Sequence, residues 1–244
     1  MRTIIASIIA ASVCASVAWG QTPPAPMKLY TGSFGGGFAL TGGNSETKNF
    51  NLTFDMVRDP KTKNILKASA SYLRGTQTNV LSLDRTSFNI RDEYSLTNRV
   101  FLFGQVDYLR DRFKEIIFYW APSGGVGYKL INNDRTLLAV DGGAGGFFER
   151  NPGTAVSKSG SVTGGQRFTY KLSPTAAFTQ SVTNAWKTKD FDDYLTNFSV
   201  GLTSTLIKRV DIKIAFLDSY KRKPPNLTVK RNDTAFLTAF IMKF

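Results

Sequence analysis

The chain has 244 residues, 31 basic and 18 acidic, for a formal charge of +13, and it contains no histidine and one cysteine. That composition excludes histidine-based triads, histidine-ligated zinc and any disulfide framework. Neither an enzymatic site nor a cofactor nor a bound metal is expected.

In chain order, Arg2 precedes an apolar run over residues 3–18, then Ala18-Trp19-Gly20 and the polar QTPPAP. This layout predicts a secretory signal peptide over residues 1–20, cleaved after Gly20. Residues 21–28 then form a short periplasmic linker and residues 29–244 a β-barrel domain. Cleavage removes Cys14 and Arg2, leaving 30 basic against 18 acidic side chains. Export makes lipid phosphate or anionic solutes the natural counter-charge, and nucleic acid is not expected as a partner.

Beyond residue 28 the hydrophobic pattern alternates with period two. Phe50, Leu52, Phe54 and Met56 oppose Asn49, Asn51, Thr53 and Asp55, and Val210, Ile212, Ile214 and Phe216 oppose Asp211 and Lys213. Twelve such segments are predicted, at 30–41, 47–58, 63–74, 82–96, 99–110, 117–131, 135–149, 159–172, 175–186, 192–206, 209–221 and 230–244. No later segment offers the roughly 18 uncharged apolar residues of a spanning helix. A membrane protein built from these segments must therefore be a closed barrel, because lipid satisfies no backbone hydrogen bonds. The fold class predicted is all-β, a transmembrane antiparallel up-and-down β-barrel of about 12 strands.

Short turns such as DPKT at 59–62 and INND at 131–134 alternate with longer polar connections. The longer set comprises GGNSET at 42–47, GTQTNV at 75–80, RDRFKE at 110–115, ERNPGTAVSKSG at 149–160, KTKDFDD at 187–193 and KRKPPNLT at 221–228. That asymmetry predicts turns and both termini in the periplasm and loops outside. Even-numbered positions form the apolar face. Tyr72, Tyr94, Tyr108, Trp120, Tyr128, Tyr170, Trp186, Tyr194 and Tyr220 share it near strand ends, where membrane-interface rings belong. A soluble lipocalin-like barrel or sandwich would instead bury that face. The last segment, TAFLTAFIMKF, sets Phe240, Met242 and Phe244 on one face and resembles a barrel-assembly signal read by the assembly machinery.

Four stretches, GGNSETKNFNLTFD, SLTNRVFLFGQVDYLRDRF, GGVGYKLINNDRTLLAVDGGAGGFFER and KRKPPNLTVKRNDT, carry a resemblance to a family of Gram-negative salt-induced outer-membrane proteins, a domain of unknown function. The resemblance covers essentially the whole mature chain. It implies an outer-membrane barrel linked to salt or osmotic stress, with no catalytic residues to carry over.

The inward face is predicted to hold Asp55, Lys67, Arg85, Arg91, Glu93, Asp107, Lys129, Arg135, Asp141, Glu149, Arg167, Lys171, Asp211 and Lys213. These charges either line a pore and tune its selectivity or pair with one another and fill the barrel. The loops are basic, with Arg110, Arg112, Lys114, Lys158, Lys187, Lys189, Lys221, Arg222, Lys223, Lys230 and Arg231, which points to lipopolysaccharide phosphates or to plain solvation. Gly124-Gly125-x-Gly127 and Gly142-Gly143-x-Gly145-Gly146 lack the lysine and the strand-to-helix context of a phosphate loop. They read as room for curvature or a bulky neighbour. The functions in view are a narrow passive channel for small ions or solutes, a non-conducting structural envelope barrel, a soluble periplasmic binding barrel and a membrane-embedded hydrolase.

Overall fold

The computed structural model describes residues 29–42, 47–77, 80–224 and 230–244; the predicted signal peptide and linker lie outside them. Twelve strands form one closed antiparallel barrel in which each strand pairs with its sequence neighbours and β1 closes on β12. They are β1 (Tyr30–Gly42), β2 (Thr47–Arg58), β3 (Asn64–Gln77), β4 (Val80–Ser95), β5 (Val100–Asp111), β6 (Ile116–Asn132), β7 (Thr136–Arg150), β8 (Ser157–Ser173), β9 (Ala176–Lys187), β10 (Asp190–Ile207), β11 (Val210–Lys221) and β12 (Asn232–Lys243). Each is 12 to 18 residues long, more than the roughly 9–11 that cross a bilayer at a tilt.

Away from bulges and strand ends, the ladders join even-numbered positions to even-numbered ones, as in Phe34↔Phe54, Phe88↔Tyr108 and Phe216↔Phe236. One face is therefore kept all the way round the barrel. That face points outward: Phe34, Phe50, Leu102, Trp120, Val126, Phe216, Phe236, Phe240 and Met242 are all exposed. Charged and polar groups such as Arg91, Glu93, Glu149 and Asn51 are buried inside. The apolar rows do not meet in a hydrophobic centre, so the lipocalin-like and sandwich alternatives fail. Side chains alternating greasy outside and polar inside are what a lipid-facing barrel requires.

The ends are less asymmetric than predicted. β3 and β4 remain paired up to Gln77↔Val80, and β9 and β10 up to Asp190↔Lys187, so the connections GTQTNV and KTKDFDD shrink to 78–79 and 188–189. Polar side chains disguise these segments, yet their backbones continue the ladder beyond the apolar band. Long connections persist at 151–156 and 222–231.

The paired glycine clusters shape one wall. Gly125 stands opposite Gly143 across β6 and β7, and a Cβ on Gly125 would lie 2.1 Å from the carbonyl oxygen of Gly142. On Gly127 it would lie 2.1 Å from the Phe101 ring. The missing side chains let Phe101 and Phe103 lie inward against this wall, where with Ala139 they form a small buried cluster.

Candidate functional site: the barrel interior

Inward aromatics on β5 are the base on which the interior charges assemble. The Arg91 guanidinium lies 4.0 Å from the centroid of Phe103, a desolvated cation–π contact. Its Nε donates to Glu93 Oε1 at 2.7 Å, one Nη to Gln105 Oε1 at 2.5 Å and the other to Asp141 Oδ2 at 2.8 Å. Arg167 from β8 completes the bridge, at 2.6 Å from Glu93 and 3.4 Å from Asp141, and Lys67 from β3 reaches Glu93 Oε2 at 2.7 Å. Asp107 accepts from the amides of Asn89 at 2.7 Å and Gln105 at 2.9 Å. These residues span β3 to β8 and fill that side of the lumen, each charge partnered as burial demands.

Most of the remaining space runs along β9 to β12 and on to β2 to β5, with a smaller pocket of about 30 Å³ at the loop end between Tyr119, Phe147 and Trp186. An upper cavity of about 170 Å³ lies toward the loop end, between Arg85, Ser181, Thr183, Asn197, Ser219 and Ala235. A lower one of about 260 Å³ lies toward the turn end, between Asn51, Thr53, Ser69, Ser71, Lys213 and Ala239. Leu73 and Leu217 line both, and Leu73 is buried against Leu237, so the two cavities stand in file with an aliphatic neck between them.

The loop end of the corridor is bridged from within. Asp111 Oδ1 accepts the N–H groups of Phe113 at 3.0 Å and Lys114 at 3.1 Å, and Glu115 adopts a positive φ of 56°. That tight turn folds 112–115 inward. Lys114 Nζ then reaches Asp233 and Ser219 Oγ, each at 3.2 Å, across the mouth. Burial pushes the Lys114 ammonium below the ordinary lysine range, Arg85 adds to the effect, and Asp233 and Asp111 oppose it. Beside it, Glu149 is held by Lys221 at 2.5 Å and Lys187 at 3.8 Å, and Lys187 also meets Asp193 at 2.5 Å. Lys114, Lys187 and Lys221, predicted among the basic loop residues, thus turn inward.

Of the remaining sequence-selected charges, Asp55 and Lys213 line the lower cavity, Lys129 is half-buried, and Arg85 lies 3.8 Å from Asp111. Asp211 is held at 2.6 Å by Lys243 at the turn end. Arg135 and Lys171 are exposed at the turn-end rim. Arg135 precedes β7, donates to the Lys171 carbonyl at 3.3 Å and covers the Tyr170 ring at 4.9 Å. It belongs to the outer rim because the turn releases it from the inward alternation.

The selected rings fall into two groups by strand register. Tyr94, Tyr128 and Tyr170 sit near the turn end, with Arg99 donating to the Tyr128 hydroxyl at 3.4 Å. Tyr108, Trp120, Trp186, Tyr194 and Tyr220 sit toward the loop end, with Tyr108–Trp120 centroids 5.0 Å apart and Tyr194–Tyr220 centroids 6.0 Å apart. Tyr72 lies further down the wall, opposite Leu52 and Thr86. Phe240, Met242 and Phe244 are exposed, and the Phe244 N–H donates to the Gly32 carbonyl at 3.1 Å, tying the end of the chain to β1.

Odd numbering alone marks Phe101, Phe103, Leu73, Lys187 and Lys221 as inward. No sequence signal marks Lys114, which an Asx-type turn carries inside.

An up-and-down antiparallel barrel with an apolar wall and a polar, partly filled interior defines the porin class of fold. A NanC porin structure aligns with a TM-score of 0.59 and 8% identity over 88% of this chain and all of that one. An outer-membrane channel from Pseudomonas putida F1 aligns with a TM-score of 0.56 and 10% identity over 92% of this chain and all of that one. No curated protein matches the chain. The chain belongs to the family described as a protein of unknown function, DUF481, whose model matches residues 35–244.

Proposed function

We propose that the protein is an outer-membrane channel, a narrow passive conduit for small ions or solutes, with its turns and termini in the periplasm and its loops facing the medium. The observation that carries this reading is the uneven filling of the interior. Charges and aromatics occupy the β3–β8 side, while two cavities run in file along the other. A barrel meant only as a rivet has no use for a file of cavities. The basic residues left on the loop-end surface, among them Lys158, Lys189 and Arg112, suit lipopolysaccharide phosphates, and Phe244 on β1 suits delivery by the barrel-assembly machinery.

The deciding experiment is ion conductance in planar bilayers after refolding, with selectivity measured. Detergent-dependent fractionation and heat-modifiable gel mobility test the outer-membrane location. A refolded barrel without conductance removes the channel reading and leaves the structural envelope barrel, which the Leu73–Leu217 neck favours. Growth of a deletion strain in raised salt tests the stress link that the family resemblance implies.

A further inference from the structure

We propose that the paired cavities bind a small neutral polyhydroxylated solute, a sugar or polyol of single-ring size, during its passage. This rests on the channel reading and names what the channel takes. Three features of the corridor argue for it. Its two walls carry hydroxyl pairs, Ser71 with Ser87 at 2.7 Å on β3 and β4, and Ser181 with Ser199 at 2.8 Å on β9 and β10. Each pair keeps donor and acceptor capacity for a third oxygen. The surface between them is aliphatic, made by Ala215, Leu217, Leu237 and Ala239 on β11 and β12. A sugar ring has this same division, hydroxyls at its edge and C–H groups on its face.

The third feature is Asn51. Its side chain is 1% exposed and borders the lower cavity, yet neither its amide nitrogen nor its amide oxygen has a hydrogen-bond partner. A buried amide left unmatched is costly. This one stands just behind the cavity lining and supplies both a donor and an acceptor, the combination a vicinal diol accepts and donates in return, once a solute displaces the side chains that cover it. Ionic solutes fit less well, because the strongest interior charges are engaged with one another in the Arg91–Glu93–Asp141–Arg167 bridge. In the upper cavity Asp111 lies beside Arg85 and Asp233 beside Lys114, while Asp218 keeps an unpartnered carboxylate oxygen. Asp55 and Lys213, of opposite sign, both line the lower cavity.

The test uses the full mature chain refolded in detergent. Single-channel current is recorded with glucose, with sorbitol, with a polyethylene glycol of matching size and with glucuronate, and glucose binding is measured in parallel by titration calorimetry. Saturable block by glucose and sorbitol but not by the polymer is expected. Asn51→Leu is expected to weaken the block about tenfold, the worth of a lost hydrogen-bonding partner. Ser199→Ala on the far wall is expected to act in the same direction, and it serves if the first variant fails to fold. Lys223→Ala on the outer loop leaves the block unchanged. The proposal is overturned if glucose and the polymer reduce current alike, or if only glucuronate blocks. If no current flows, the channel reading falls on its own. Calorimetry then still decides the site, and no glucose heat overturns it.

Discussion

Arg91→Met removes the centre of the interior bridge while keeping a long apolar stem over Phe103. The wild-type guanidinium contacts Glu93, Asp141 and Gln105 at 2.5–2.8 Å and stacks on Phe103 at 4.0 Å. Removing one partner from a buried ion pair costs about 3–5 kcal/mol, because the other charge stays behind. Here Glu93 keeps Lys67 and Arg167, and Asp141 keeps Arg167 at 3.4 Å, so the lower end of that range, about 3 kcal/mol, is expected. Urea unfolding from lipid vesicles, followed through Trp120 and Trp186, reads the change as a shift in midpoint at constant slope. Lys223→Ala, which breaks an exposed pair with Asp190 at the loop rim, should leave the midpoint unmoved. A shift for Arg91→Met no larger than that control would mean the network is hydrated and contributes nothing, and the account of a filled half-lumen would be wrong. A double cycle with Asp141→Asn should return a coupling of roughly 0.5–3 kcal/mol, as for contacting residues.

Gly127→Ala forces a methyl to within 2.1 Å of the Phe101 ring. It should cost about 1–3 kcal/mol and be rescued by Phe101→Leu, whereas Gly125→Ala meets the Gly142 carbonyl at 2.1 Å and should resist that rescue; refolding yield and urea midpoint decide. Leu73→Ala widens the aliphatic neck and should raise single-channel conductance, at a stability cost of about 2–5 kcal/mol; unchanged conductance would place the constriction elsewhere. Lys114→Ala should raise conductance at neutral pH by removing the bridge across the mouth. In wild type the same rise should come with alkali, below the 10.5 of an ordinary lysine, and be absent from the variant. Stability rises as well: a depressed lysine pKa means folding disfavours the ammonium, so that cost is relieved as pH rises from the folded value to the ordinary one. Deleting Phe244 removes its hydrogen bond to Gly32 and should lower the heat-modifiable fraction in outer-membrane preparations.

Twelve strands were legible because period-two alternation is a local property and the ladders preserve parity. Predicted and observed strand ends differ by three residues or fewer, most widely at Gln77, where polar Thr76 and Gln77 still pair with β4. Odd parity puts Arg91, Glu93 and Asp141 on the face where they pair across the lumen, whereas Lys171, also in a strand, is exposed near its end. Parity failed at the ends for a physical reason: beyond the last ladder bond, side-chain direction is set by turn geometry. Arg135 escapes to the rim through such a turn, and Lys114 enters the mouth through another. Which charges pair across the lumen was not legible at all. Arg91 and Asp141 are 50 positions apart and meet only because the closed barrel brings β4 toward β7.

The bridge and the glycine clusters belong to one device. Phe101 and Phe103 occupy inward positions on β5 that face Gly127 and Gly125 across the ladder, and larger residues there would push the rings into the lumen's centre. Held against the wall, the rings give Arg91 and Arg167 an apolar surface to cover, with Arg167 5.7 Å from Phe101. The two cations in turn fix Glu93 and Asp141 on the same side. Filling one side so densely leaves the small residues of β9 to β12 to border the void. Swelling of liposomes carrying a variant with Phe101 and Phe103 both replaced by Ala provides the test. The bridge should lose its support, the cavities should merge with the β3–β8 side, and solutes too large for the native barrel should enter. Retained size exclusion would mean that the neck at Leu73 and Leu217, and not the filled half, sets the limit of passage.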